Sequence, residues 1–192
     1  MVNIVLFGPP GAGKGTQSEK IIAKYGLKHI STGDLFRKHL GEGTDLGKKA
    51  QSFMDNGKLV PDEVVIGMVD ETINEFKTAP GFIFDGFPRT VAQAEALDAL
   101  LAKHETSIAC MIMLNVPEEE LKKRLLERGK TSGRADDQNE EKINVRIQEY
   151  LNKTVPVAEF YTHQNKICKV NGVGSIEGIF DQISLAIDGH YA

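Results

Sequence analysis

The chain has 192 residues, is 41% hydrophobic and 26% charged, and carries a formal net charge of −4. That length supports one ordinary domain with a substantial core, and the mild acidity without a basic stripe excludes nucleic acid as an expected partner. No apolar run approaches the ~18 residues of a membrane span, and the chain passes at once into an apolar strand, so neither a membrane association nor a cleaved leader is expected. Cys110 and Cys168 lie in separate apolar runs without a Cys-x-x-Cys pair, as expected of free thiols in a reducing cytoplasm. The five histidines show no metal-ligand spacing.

The first predicted element is a buried strand over residues 2–7. It runs directly into Gly8-Pro9-Pro10-Gly11-Ala12-Gly13-Lys14-Gly15-Thr16 and a helix over 14–25. A glycine-rich loop between strand and helix lets successive N–H groups converge on an anion, and Lys14 adds a full positive charge. The helix N-terminus points its unpaired donors at the same place. This is a triphosphate cradle. Where the general pattern has Ser or Thr after the lysine, this chain has Gly15 and then Thr16, the Gly-Lys-Gly-Thr of small kinases acting on nucleoside monophosphates.

Further along, strands are predicted at 28–31, 81–84, 108–115 and 167–170, each short and apolar on both faces as buried parallel strands are. Helical patterns fall at 34–42, 45–56, 62–76, 91–103, 118–128, 139–153, 156–163 and 175–187. Pro117 followed by three glutamates marks a helix start, while Thr154 with Pro156 predicts a cap and a break. The alternation implies a doubly covered parallel sheet: an α/β, three-layer fold of the phosphate-loop NTPase type with five strands. Two stretches interrupt it. Residues 32–60 hold two helices without a strand, and 127–138 are polar and glycine-bearing, so both are expected to form mobile flaps over the carboxyl edge of the sheet.

Only six of the 23 basic residues are arginine: Arg37, Arg89, Arg124, Arg128, Arg134 and Arg146. Arginine is the side chain whose planar fork grips phosphate oxygens two at a time. Arg124 and Arg128, four apart, share one helix face. Beside a phosphate loop, the set reads as a cluster serving several phosphates.

Ile83-Phe84-Asp85-Gly86-Phe87-Pro88-Arg89, with Gln93 four residues on, closely resembles the Asp-Gly-Phe-Pro-Arg signature of the adenylate kinase family. Ser31-Thr32-Gly33-Asp34-Leu35-Phe36-Arg37 and Gly57-Lys58-Leu59-Val60-Pro61 resemble its monophosphate-site motifs, and Arg128 to Arg134 followed by Asp136-Asp137 resembles its lid. The similarity runs from about residue 2 to 187. With five residues between Arg128 and Arg134, the chain resembles the short-lid members, which lack zinc.

That resemblance implies reversible transfer of a phosphoryl group from MgATP to AMP, giving two ADP, by a cytoplasmic monomer. It implies a single kinase domain with a core (1–30, 61–126 and 139–192), an AMP-binding flap (31–60) and a short lid (127–138). Gly11, Ala12, Gly13, Lys14, Gly15 and Thr16 would hold the ATP phosphates, with Arg124 and Arg128 gripping from the lid side and Gly174 near the adenine. Thr32, Arg37, Lys58, Leu59, Val60, Gly86, Phe87, Pro88, Arg89 and Gln93 would hold AMP. Arg134 and Arg146 would bridge to the transferred group, and the catalytic set would be Lys14, Arg89, Arg124, Arg134 and Arg146. Asp85 would hold Mg²⁺ through water. Without phosphates Arg124, Arg128, Arg134 and Arg146 would repel one another, so closure is expected to need both substrates.

Two other readings compete with this one. A UMP/CMP kinase would share the fold, but Gln93 matches an adenine edge, accepting from the amino group and donating to the ring nitrogen, a pattern that uracil reverses. A GTP switch would need an Asn-Lys-x-Asp base reader. The nearest run, Asn152-Lys153-Thr154-Val155, lacks the aspartate.

Overall fold

Successive residues of the central strands go to opposite faces, and both faces are covered. Val5 and Phe7 of β1 (Asn3–Phe7) join Phe82 and Phe84 of β3 (Phe82–Asp85) on one side, while Ile4, Leu6 and Ile83 lie on the other. The remaining strands are β2 (Lys28–Ser31), β4 (Ile108–Asn115) and β5 (Ile167–Asn171). All pairings are parallel, in the order β2-β3-β1-β4-β5. The computed structural model describes residues 1–190.

Nine α-helices are found among these residues: α1 (Lys14–Tyr25), α2 (Thr32–Gly41), α3 (Asp45–Met54), α4 (Asp62–Glu75), α5 (Val91–Lys103), α6 (Glu118–Ser132), α7 (Glu140–Glu149), α8 (Val155–Thr162) and α9 (Ile176–Asp188). Ile21 of α1 and Ile179, Ile183 and Ile187 of α9 cover one face of the sheet. Val69 and Ile73 of α4, Leu97 and Leu101 of α5, and Val157 and Tyr161 of α8 cover the other. Burying each such side chain contributes about 1.5–3 kcal/mol, so the central sheet is the rigid floor of whatever stands on its carboxyl edge. Cys110 and Cys168 sit two residues out of register on adjacent strands, and burial together with Cys168 pushes the Cys110 thiol up to about 12, leaving it inert at neutral pH.

Three elements depart from the sequence expectation. α2 begins at Thr32, directly after the strand, because the Ser31 hydroxyl accepts the Asp34 N–H and caps it in place. α6 does not stop at residue 128. It continues to Ser132 and ends at Gly133, at φ 66°. Gly129 is required in that last stretch because the Asp137 backbone lies where a Cβ would stand. The break expected at Thr154 is absent: the chain runs from α7 into α8 through a wide π-helical turn, Tyr150–Thr154, closed by the Val155 N–H donating to the Tyr150 carbonyl. Pro156 brings no N–H and crowds the carbonyl four residues back, and widening the turn accommodates both effects. Thr154, expected as a cap, instead donates its hydroxyl to the Arg89 carbonyl at 2.9 Å.

Candidate active site

The sheet register brings the two ends of the site together. Leu6 pairs with Asp85, so the loop leaving β1 and the carboxylate closing β3 stand side by side at the carboxyl edge. Gly13, at φ 92°, lets the loop turn straight into α1, whose first residue is Lys14. The Lys14 ammonium folds back over the loop, donating to the Gly8 carbonyl at 2.9 Å and the Pro9 carbonyl at 3.1 Å. Its pKa falls to about 8. Burial is the main cause, Asp85 opposes it, and Arg89, Arg146 and Arg128 add to it.

A cavity of about 450 Å³ opens above this point. Its walls include Gly11, Gly13, Lys14, Gly15 and Thr16 from the loop, Asp85 from β3, and all six arginines. Arg124 donates to Glu120 at 2.8 Å and to the Gly172 carbonyl at 3.2 Å. Arg128 makes a two-pronged pair with Asp137, at 2.6 and 3.0 Å, and Arg146 pairs with both Asp137 and Asp136. Asp137 is fully buried. Arg37 pairs with Asp34 across one helical turn. Burial first, then the proximity of Arg37 and Arg128, lowers Arg134 from its ordinary value. Arg89 is pushed down to about 10 by burial and then by Arg146, and its Nε donates to the Gly86 carbonyl at 2.7 Å. A site that depresses its own cations is waiting for negative charge.

Beside the phosphate cavity lies a second pocket, walled by Thr32, Arg37, Lys58, Leu59, Val60, Gly86, Arg89, Gln93 and Arg146. The Thr32 hydroxyl donates to the Gly86 carbonyl at 2.9 Å. Phe87 and Pro88 line an adjoining pocket with Arg89 and Arg146. Two expected residues stand apart from these walls. Ala12 is 2% exposed and gives its N–H to the Pro9 carbonyl, so it shapes the loop from beneath. Gly174 lies in the turn after β5, outside the cavity, although Arg124 reaches the neighbouring Gly172 carbonyl. Sequence reasoning missed Phe36, Met54 and Val65, which give the second pocket its apolar wall. Their helical spacing reads as ordinary core packing, and only the fold turns one side of each toward a ligand-sized space. It also missed Asp62 and Glu120, whose partners lie on a neighbouring helix or one turn away.

Asp85 is 8% exposed, and among the described residues the ion-pair partner found for it is His29, at 3.7 Å. A carboxylate left without an arginine in a cleft holding six of them fits a cation arriving with its own ligands. No three metal-ligating side chains converge among the described residues. A single buried carboxylate of this kind could hold a cation such as Mg²⁺ whose other ligands are waters and phosphate oxygens.

A phosphate loop facing this many cations, with a second pocket built against the first, can hold two phosphorylated ligands end to end. Such a fold and site define a phosphate-loop kinase. The family model described as adenylate kinase matches residues 6–166. Curated relatives named adenylate kinase are similar over almost the whole chain. The protein from Flavobacterium johnsoniae is 55% identical over 98% of this chain and 99% of its own, and that from Bacteroides fragilis is 51% identical over the same shares. The Porphyromonas gingivalis protein is 46% identical over 98% of this chain and 96% of its own. The chain belongs to the adenylate kinase family.

Proposed function

We propose that the chain transfers the terminal phosphoryl group of MgATP to AMP, reversibly, giving two ADP. The observation that carries this reading is the junction of the two pockets: Arg89 and Arg146 line both, with Lys14 on one side and Gln93 on the other. An AMP phosphate oxygen forms the new bond to the transferred phosphorus, and the bond to the bridging oxygen breaks to leave ADP. The acceptor is already an anion, so no general base is needed. What remains is charge repulsion and alignment, and catalysis is positioning with electrostatics.

In this reading Lys14, the loop N–H groups and Thr16 hold the ATP phosphates, while Arg124 and Arg128 approach from the lid side. Arg37 and Arg89 hold the AMP phosphate, and Arg134 and Arg146 span the transferred group. The flap, 31–60, supplies Thr32, Lys58, Leu59 and Val60, and Gln93 reads the base. Mg²⁺, held through water by Asp85, would neutralise phosphate charge when bound with ATP. A monomer is what the resemblance to the short-lid members supports, and the free thiols suit a reducing cytoplasm. No helix among the described residues is long and apolar enough to cross a membrane.

A coupled assay of ATP against AMP, UMP, CMP and GMP tests the assignment. AMP should be preferred by at least tenfold in kcat/KM, and a better rate with UMP would overturn it. Gln93→Ala should raise KM for AMP about tenfold and leave KM for ATP within twofold, because it removes a contact at one site only. Equal losses for both would make the side chain structural.

Lys14 adds a pH signature. Its pKa near 8 is set first by burial and then by the cations around it. Bound phosphates bring the opposite charge and raise it again. Below about pH 7 the lysine is charged both free and bound, and affinity is flat. Between about 8 and 10 binding must take up a proton, so ATP affinity should fall by up to tenfold per pH unit. Calorimetry at pH 9 in buffers of different ionisation enthalpy should register that uptake. A binding heat independent of the buffer would contradict it.

A further inference from the structure

The Gln93 side chain is 2% exposed and lines the second pocket, yet both ends of its amide already have one protein partner. Its Nε2 donates to Asp62 Oδ1 at 2.7 Å, and its Oε1 accepts the Arg89 N–H at 2.7 Å. Neither partner can exchange roles, since a carboxylate only accepts and a backbone N–H only donates. The amide is therefore fixed in one of its two orientations, which a glutamine on its own does not choose.

Asp62 is itself held. Its Oδ2 accepts the Thr90 hydroxyl at 3.1 Å, and the Thr90 oxygen in turn accepts the Gln93 N–H at 3.2 Å. The ring Asp62–Thr90–Gln93 thus ties the first turn of α4 to the first turn of α5. An amide has two N–H donors and two lone pairs. One of each is used here, so one N–H and one lone pair remain for a ligand, in fixed order.

We propose that Asp62 is a positioning residue that sets base specificity by locking the Gln93 amide. The inference rests on the reading of Gln93 as the base contact. In the locked orientation Oε1 accepts from the 6-amino group of adenine and Nε2 donates to N1. Hypoxanthine presents the reverse, a 6-oxo acceptor and an N1–H donor, and would meet like against like. An amide free to turn over would read either base, so the locked one discriminates. Substrate never needs to touch Asp62 for this.

The test compares AMP and IMP as acceptors, with ATP as donor, in wild type, Asp62→Asn, Asp62→Ala and Gln93→Ala. The asparagine is isosteric and can offer either a donor or an acceptor, so it removes the Asp62 half of the lock while keeping the shape, leaving only the Arg89 N–H to hold Oε1. The alanine variant removes the same half without introducing a donor, and serves if the asparagine variant does not fold. Either variant should lower the AMP-over-IMP ratio of kcat/KM by about tenfold or more, mainly through KM, with KM for ATP within twofold of wild type. A ratio unchanged in both, whatever the loss of stability, overturns the inference while Gln93→Ala still weakens AMP selectively. If Gln93→Ala has no AMP-selective effect, the base-contact reading fails and this inference with it.

Discussion

Lys14→Met should lower turnover roughly 10³-fold while the protein stays folded, because the ammonium stabilises charge as it moves between phosphates in a cleft with little water. The methionine keeps the apolar stem and removes only the donor, so the loop and α1 should be retained. Stability should not fall and should rise at neutral pH. The folded chain holds Lys14 near 8, below its ordinary 10.5, so the charged lysine is disfavoured by folding at every pH below 8. In wild type this penalty fades as pH climbs from about 8 toward 10.5, where the unfolded chain still binds the proton that the folded chain has released. The Lys14→Met variant should lack that rise. Melting curves from pH 7 to 10, alongside the coupled assay, check both halves. Near-full activity would remove the lysine from the phosphate site, and a large loss of melting temperature would make its role structural.

How much of this was legible in the sequence follows from which interactions are local. The strand at 108–115 and the helix at 91–103 matched residue for residue, because their patterns of burial, Pro117 and Thr90 are written within a few residues. The phosphate loop is likewise a local device, fixed by glycines and a helix start. The arginines were legible as a set through their scarcity, and the fold gathers all six around one cavity. What was not legible depends on other elements. The helix through Thr154 survives because a π-helical turn accommodates Pro156 and hands the threonine hydroxyl to Arg89, 65 residues away in sequence. Asp62 reads as an ordinary acid in the first turn of a helix until the fold sets Gln93 against it. The repulsion expected among the arginines meets a partner in Asp137, whose full burial between Arg128 and Arg146 depends on the fold rather than on its neighbours in sequence.

Asp137→Ala should therefore destabilise the protein by about 2–4 kcal/mol, lowering the melting temperature by roughly 5–12 °C, since it strands two guanidiniums beside Lys14 and Arg89. The carboxylate accepts both prongs of Arg128 as well as Arg146, and Asp136 stands in for only part of the Arg146 pairing. Breaking a buried pair from one side costs more than the pair contributed, because the remaining charge keeps its desolvation and loses its partner. Multivalent phosphate should reverse the deficit. Two adenosines joined by five phosphates would bring the missing negative charge to the same arginines, and in the variant only Asp136, on Arg146, still competes for them. The rise in melting temperature on saturation with that ligand should thus be larger for Asp137→Ala than for wild type, even though the unliganded variant starts lower. Differential scanning measurements with and without the ligand decide the matter. An unliganded melting temperature equal to wild type would show that the buried carboxylate contributes no net stability, and a smaller ligand-induced rise would show that Asp137 positions the arginines for phosphate rather than competing with it.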